Sequence, residues 1–363
     1  MPGSSIGQRL VLTSFGESHG ICVGAVLDGC PAGLELDEND IQKMLNLRKP
    51  GQSLVSTQRK EEDKVEILSG VFRGYTTGAP IAMIIWNADH DSRAYEQLKT
   101  KMRPGHSDYP ALIKYKKFND FRGGGRFSGR LTATHVMGGA IARKLLKTTL
   151  GIETNSYTLQ VGKIRMSKVT QQMMKTIYSN EVRCPDKNIA KKMRDIILAA
   201  RKKGDSLGGV IESVTTNLPV GLGEPIFGSL ESDLGKALFS IPAVKGIEFG
   251  SGFGGAEAFG SQNNDPYMVK NGKIVTKTNN AGGILGGLSN GMPIVLRIAF
   301  KPASSILKKQ ATIDIKTKKP TSLQVTGRHD PCVVPRAPPV VDSLVSLVLA
   351  DHALQGGFIK PVL

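Results

Sequence analysis

Glycine is not spread evenly along this chain of 363 residues but gathers in three short runs. They are Gly16-Glu17-Ser18-His19-Gly20, Gly123-Gly124-Gly125-Arg126-Phe127-Ser128-Gly129-Arg130 and Ala281-Gly282-Gly283-Ile284-Leu285-Gly286-Gly287. Such runs do not sustain a helix or a strand, and they let the backbone turn with positive φ or approach a ligand closely. The runs are therefore loops, and the regular elements are the segments between them. Where the second run leads into a long helical pattern, free N–H groups, the positive helix end and Arg126, Ser128 and Arg130 together suit an anion. An ordinary glycine-rich turn before a helix explains that run alone equally well.

Seven segments rich in Val and Ile, bounded by Gly, Pro, Asn or Asp, predict strands: 9–13, 22–27, 64–72, 80–86, 208–216, 246–249 and 293–300. Helices are predicted over 37–47 (stopped by Pro50), 128–150 (Ser128 as N-cap, Gly151 as stop), 188–203 and 339–354. The last is apolar almost all round, so it is expected to be buried. The order of elements is mixed rather than alternating, which favours an α+β fold over a doubly wound sheet. No fixed-period repeat and no Pro- or Ser-rich linker divides the chain, so residues 1–363 are expected to form a single compact domain.

The formal charge of +17 calls for anionic partners. Lysines lie diffusely on segments such as 187–203 and 308–319, whereas Arg122, Arg126 and Arg130 stand beside glycines in a loop, which favours a binding site. A nucleic-acid-binding protein is the rival reading of this charge. It would need basic residues interleaved with exposed aromatics, and aromatics are 6% with no recognisable module. The longest apolar runs, Ala79–Trp86 and Leu344–Ala350, are far short of a membrane span of about 20 residues. Cys22, Cys30, Cys184 and Cys332 form no CxxC pair, and no signal pattern opens the sequence, so a reduced, cytoplasmic protein is expected.

Lys301-Pro302-Ala303-Ser304-Ser305, directly after the last predicted strand, offers a cation and two hydroxyls to a phosphate or a ring edge, although a simple turn has the same composition. Of six histidines, His19, His106 and His329 lie in loops beside arginine or carboxylate, and His19 and His106 are acid–base candidates. Asp330 is a candidate base or the partner of Arg328. His90, His135 and His352 read as structural. Ser18, His19 and Asp330 do not make a hydrolase triad, since adjacent Ser and His rarely face each other and no Gly-x-Ser-x-Gly elbow exists. No metal-ligand spacing, Walker loop or Gly-x-Gly-x-x-Gly motif is present.

Taken together, Gly16 to Gly20, Arg48-Lys49-Pro50-Gly51, Lys64 to Gly70, Arg103-Pro104-Gly105-His106, Arg122 to Arg130, Asn280 to Gly287, Lys301 to Ser305 and Arg328 to Cys332 closely resemble the chorismate synthase family, in order and spacing, over nearly the whole chain. The resemblance implies a β-α-β sandwich assembled as a homotetramer. It implies an anti 1,4-elimination of phosphate from 5-enolpyruvylshikimate 3-phosphate, giving chorismate. Reduced FMN would lend an electron that helps expel phosphate and recover it as hydrogen leaves the ring. NADPH would reduce the flavin directly or through an external reductase. By motif, His19 would protonate the departing phosphate, His106 would serve the flavin's polar edge and Asp330 would help remove the flavin proton. Arg48, Arg103, Arg130 and Arg328 would hold the substrate anions. Arg126, Phe127, Ser128, Pro242, Ala243, Gly286, Lys301, Pro302, Ala303, Ser304, Ser305 and Arg328 would line the flavin. A relative that kept the flavin site but lost catalysis is disfavoured by His19, His106 and Asp330. Three positions depart from the pattern: Leu54 where many relatives have arginine (with Arg59 nearby), Phe127 for serine, and Asp342 for glutamate.

Overall fold

The structure, a computed structural model, describes residues 3–51, 53, 55–56, 62–88, 93–167, 169–327 and 329–363. Leu54, Arg59, His90 and Arg328 thus lie outside the described residues.

Among these residues, the first half builds a sheet from β1 (Ser5–Ile6), β2 (Val11–Gly16), β3 (Cys22–Asp28), β4 (Glu66–Ile67) and β5 (Ile81–Trp86), in the order β1-β2-β3-β5-β4 and antiparallel throughout. Val23, Ala25 and Leu27 alternate along β3 and are fully buried, so the pleat alone commits one face to the core. A second antiparallel sheet uses β6 (Glu153–Val161), β7 (Ile164–Arg165), β8 (Gly209–Thr216), β9 (Val244–Phe249) and β10 (Ile294–Phe300), in the order β9-β10-β8-β6-β7.

Helices α1 (Glu38–Arg48), α2 (Thr132–Leu150), α4 (Leu230–Leu238) and α5 (Pro338–Gln355) pack on one another between the sheets, while the amphipathic α3 (Lys187–Lys202) packs on β6 and β7 with only Ala190, Met193 and Ile197 buried. α2 packs on β2 and β3 of the first sheet, α5 packs on β6 and β8 of the second, and the two helices pack on each other. At their crossing a Cβ on Gly139 would stand 2.2 Å from the Cβ of Ser343, so only glycine permits this approach. The order sheet, helices, sheet is the expected β-α-β sandwich of an α+β fold. One continuous cluster of buried apolar side chains runs from Leu10 to Ile359. Asp351 of α5 fastens the start of the chain: its buried carboxylate accepts the backbone N–H of Gln8, Arg9 and Leu10 at 2.6–3.1 Å.

The elements follow their local signals. Asp37 forms a capping box with Asp40 at the start of α1, and Arg48 closes its last turn. Gly151 ends α2 at φ 68. Ser128 differs from expectation: it caps the 3-10 turn Gly129–Leu131, and α2 proper begins at Thr132. The predicted strand 64–72 divides into β4 and a separate two-residue pair, Val71–Phe72 with Tyr75–Thr76. β6 and α4 were not anticipated from the pattern of residues. No helix is long and apolar enough to cross a membrane among the described residues.

Candidate active site

The second glycine run lies against the first. Gly123, Gly124 and Gly125 all take positive φ (58°, 84° and 51°), and a Cβ on Gly123 would stand 2.2 Å from the His19 ring and 2.8 Å from Ser18 Oγ. Ser128 Oγ donates to Ser18 Oγ at 3.1 Å, and Arg126 donates to the carbonyls of Ser14 and Gly16 and to Ser4 Oγ. Arg126 thus lashes the glycine run to β2. His19 is buried at 6% exposure, edge-on to Tyr95 with ring centroids 5.2 Å apart.

On the other side of the run, Gly124 faces His106: a Cβ there would stand 3.6 Å from His106 Nε2. His106 Nδ1 is 2.6 Å from Asp108 Oδ1 and 3.1 Å from Arg103 Nη2. A guanidinium only donates, so these contacts ask for opposite tautomers, and the shorter carboxylate contact decides. Nδ1 carries the proton and Nε2 is turned toward Gly124. Arg103 also grips Asp108 through Nε and Nη2 (2.8 and 2.7 Å) and donates to Ser305 Oγ at 3.0 Å. Burial pushes the Asp108 carboxyl up, but the bonds from Arg103 and His106 outweigh it and hold the group well below the usual carboxylate range.

The segment after β10 joins the same wall. Lys301 Nζ and Ser304 Oγ both donate to the Gly105 carbonyl (2.5 and 2.6 Å), and the Lys301 N–H donates to Ala243 O at 2.9 Å. Pro242 precedes Ala243, Pro302 follows Lys301, and Ala303 O accepts from Ser206 Oγ at 2.7 Å. Burial, with Lys245 nearby, lowers the Lys301 ammonium. A cavity of about 510 Å³ opens beside His106, lined by Met102, Leu112, Phe121, Gly124 and Phe127, with Lys99, Lys117 and Lys316 set against Glu96, Asp108 and Asp120. The apolar and aromatic part of that lining suits a flat ring, and Gly124 leaves open the space a side chain would fill.

Arg48 and Arg130 meet elsewhere on the same assembly, on the two oxygens of one carboxylate. Arg48 Nη2 lies 2.5 Å from Asp63 Oδ2, and Arg130 Nη1 donates to Oδ1. All three side chains are buried. Burial pulls the Arg48 guanidinium down to about 10 against the pull of Asp63, and it stays charged. Burial alone would raise the Asp63 carboxyl, yet the two guanidinium groups hold it below its ordinary value. Arg130 Nε donates to Asn87 Oδ1 at 3.0 Å, and the Asn87 amide donates to Glu17 O and Gly20 O (3.1 and 2.9 Å). The arginine pair is thereby tied to the loop that carries His19. Asp330 pairs with Arg336 at 2.6 Å, whose Nε donates to Arg48 O at 3.2 Å.

The structure therefore brings His19, His106, Arg103, Phe127, Ser128, Ala243, Lys301, Ser304 and Ser305 to one wall, with Arg48 and Arg130 behind the His19 loop and Asp330 linked to Arg48 through Arg336. Gly286 is not brought there. Its loop lies at the start of β10, where Gly283 packs on Pro293, and Lys301 lies past the other end; seven residues of strand, about 20 Å, separate them. Asp63, Asn87, Asp108 and Tyr95 belong to the site and were not singled out from the sequence. Nothing in the acidic run Glu61-Glu62-Asp63 marks its last member.

The model of the family described as chorismate synthase matches residues 10–354. The chain belongs to the chorismate synthase family. Similar relatives include the chorismate synthases of Dehalococcoides mccartyi strain BAV1 (51% identical over 361 residues, 99% of each chain) and Korarchaeum cryptofilum (53% over 356 residues, 98% of each). The chorismate synthase of Methanocaldococcus jannaschii is 51% identical over 372 residues, covering 99% of this chain and 98% of its own. A solved structure titled as a crystal structure of chorismate synthase superposes with a TM-score of 0.78 at 31% identity, covering 96% of this chain and 93% of that one. Chorismate synthases are carbon–oxygen lyases, so this chain is an enzyme of that class, and nothing supports the nucleic-acid-binding alternative.

Proposed function

We propose that this chain catalyses the anti 1,4-elimination of phosphate from 5-enolpyruvylshikimate 3-phosphate, yielding chorismate, with reduced FMN bound beside His106. The observation that carries the reading is the meeting of His19 and His106 on opposite sides of Gly123-Gly124, one on a serine-bearing loop and the other on a cavity lined by aromatic, apolar and mixed-charge residues. When bound, reduced flavin supplies the electron density that eases departure of phosphate.

The remaining work falls to the chain's own groups. His19, held by the Asn87-anchored loop, gives a proton to the leaving phosphate oxygen. His106, with its Nδ1 proton on Asp108, presents Nε2 to the polar edge of the flavin. Arg48, Arg103, Arg130 and Arg328 hold the phosphate and carboxylates, whose mutual repulsion needs a strongly cationic wall. Asp330 would help take up the proton that the reaction releases. Phe127 lies against the ring, Lys301, Ser304, Ser305 and Ser128 hold the flavin's polar groups, Pro242, Ala243, Pro302 and Ala303 line it, and Arg126 holds the glycine run beside it in place.

The chain works as one catalytic unit over 1–363, in line with its continuous core, and assembles as a homotetramer. Exposed apolar side chains at Phe253, Phe259, Tyr267, Val269 and Ile274 give a second copy a surface to cover, and Gly286 reaches a flavin in this reading from a neighbouring chain. The four free cysteines agree with a cytoplasmic setting, where NADPH reduces the flavin directly or through an external reductase.

The test is anaerobic incubation with chemically reduced FMN and the enolpyruvyl substrate, followed by assay of released phosphate. Turnover that requires flavin and falls sharply in His106→Ala is expected; phosphate release indifferent to flavin overturns the reading.

A further inference from the structure

We propose that Asp63 is the positioning residue that sets Arg48 and Arg130 as a matched pair for the substrate's anions, and through Arg130 and Asn87 sets the loop that carries His19. The inference rests on the functional reading above, because it concerns how the same site is held.

Two guanidinium groups placed side by side in a buried pocket repel each other, and without an anion between them they would swing apart. Asp63 prevents this with both carboxylate oxygens, Oδ2 taking Arg48 Nη2 and Oδ1 taking Arg130 Nη1. Each arginine is then fixed by a second contact. Arg48 Nη1 donates to Thr132 Oγ1 at 3.2 Å, and Arg130 Nε donates to Asn87 Oδ1 at 3.0 Å. Asn87 in turn holds Glu17 O and Gly20 O, which flank His19. A single carboxylate therefore governs the spacing of two cations and, one link further on, the placement of a proton donor.

The backbone at Asp63 supports a site built for this role. Asp63 sits at φ 51, a region that residues other than glycine rarely adopt, and its carbonyl is held by Gln42 Nε2 at 3.1 Å. Such a conformation persists where the surroundings over-determine it, and it clusters at functional sites. Its side chain is fully buried, so it is not a surface acid that drifted toward two arginines.

Removing the carboxylate charge separates two views by the sign of the result. If Asp63 merely competed with substrate for the arginines, Asp63→Asn would leave a more positive pocket and tighten binding of the anionic substrate. If it positions them, the arginines separate and binding weakens. We therefore measure substrate affinity by calorimetry, KM and kcat by phosphate release with reduced FMN, flavin affinity by fluorescence, and folding by circular dichroism, in the full chain carrying Asp63→Asn or Asp63→Glu.

The expected result for Asp63→Asn is a substrate KM and Kd raised about ten- to hundredfold, with flavin affinity within about twofold of wild type. Asp63→Glu, which keeps the charge but shifts it by one methylene, is expected to fall between. A folded Asp63→Asn chain with unchanged or tighter substrate binding overturns the proposal, as does an equal loss of flavin and substrate affinity. If the Asn variant does not fold, an unchanged substrate KM in Asp63→Glu overturns it. Wild-type chain that releases no phosphate sinks the functional reading instead, whereas active wild type with unaffected variants sinks only the role of Asp63.

Discussion

Asp342 lies on α5 in the middle of the molecule, buried, with Arg143 of α2 at 3.4 Å. Burial, only partly offset by Arg143, pushes its carboxyl up from 3.8 to about 6. The fold thus prefers the protonated acid. Stability from this group is fully present below about pH 4 and is lost as pH rises through about 6. A shift of roughly two units corresponds to about 3 kcal/mol, or about 4 °C in Tm for a chain of this size.

His135 on α2 acts in the opposite sense. Burial, with Arg126 and Arg48 nearby, pulls its imidazole down from 6.5 to about 4. Its contribution is present above about pH 6.5 and is lost as pH falls toward about 4. The two slopes overlap and nearly cancel, so the wild-type profile conceals both. Asp342→Asn keeps the shape and removes the ionisation. Thermal melts of wild type and variant are expected to diverge between about pH 4 and 6, the variant gaining about 3 kcal/mol over wild type, and to run parallel above that. Parallel curves between about pH 4 and 6 would refute the burial of an acid that Arg143 only partly offsets.

Other perturbations test the site and its support. Gly123→Ala puts a methyl group 2.2 Å from the His19 ring at a positive φ and is expected to lower kcat/KM by at least about a hundredfold in a chain that still folds; near-normal kinetics would contradict the packing of the two loops. Asp108→Asn frees His106 from its fixed tautomer, and a fall in kcat of about a hundredfold with an altered pH–rate profile is expected in steady-state assays. Gly139→Ala drives a methyl into Ser343 across the α2–α5 crossing, and a destabilisation of about 1–3 kcal/mol should appear in the denaturation midpoint.

Much of the first sheet was legible because its inner face is written in aliphatic residues: Val23, Ala25 and Leu27 declare β3 before any contact is known. β6 was not legible for the opposite reason. Thr154, Ser156 and Thr158 fill one face and are all buried, so a strand packed on both sides reads as polar. The loops of the site were visible through glycine, since an achiral backbone is the one requirement that sequence states directly. Their partners were not. Asp63 and Asn87 act by reaching residues far off in the chain, and a carboxylate or amide carries no local mark of what it will meet; Asp108 meets Arg103 and His106 within its own loop, where the charges were visible but their pairing was not. Arg126 shows the converse: its place beside three glycines suggested an anion site, whereas its guanidinium binds carbonyls of β2.

The position of α5 has a consequence for how the chain acquires its structure. This helix follows every strand of both sheets in the sequence, yet it is the filling between them, and Asp351 on it secures residues 8–10. During synthesis the inner face of the second sheet and the α5-facing side of α2 would wait uncovered until the helix emerges. Such late, distant closure slows folding and leaves sticky intermediates. Chains cut short before the helix are expected to aggregate rather than settle into a smaller working form.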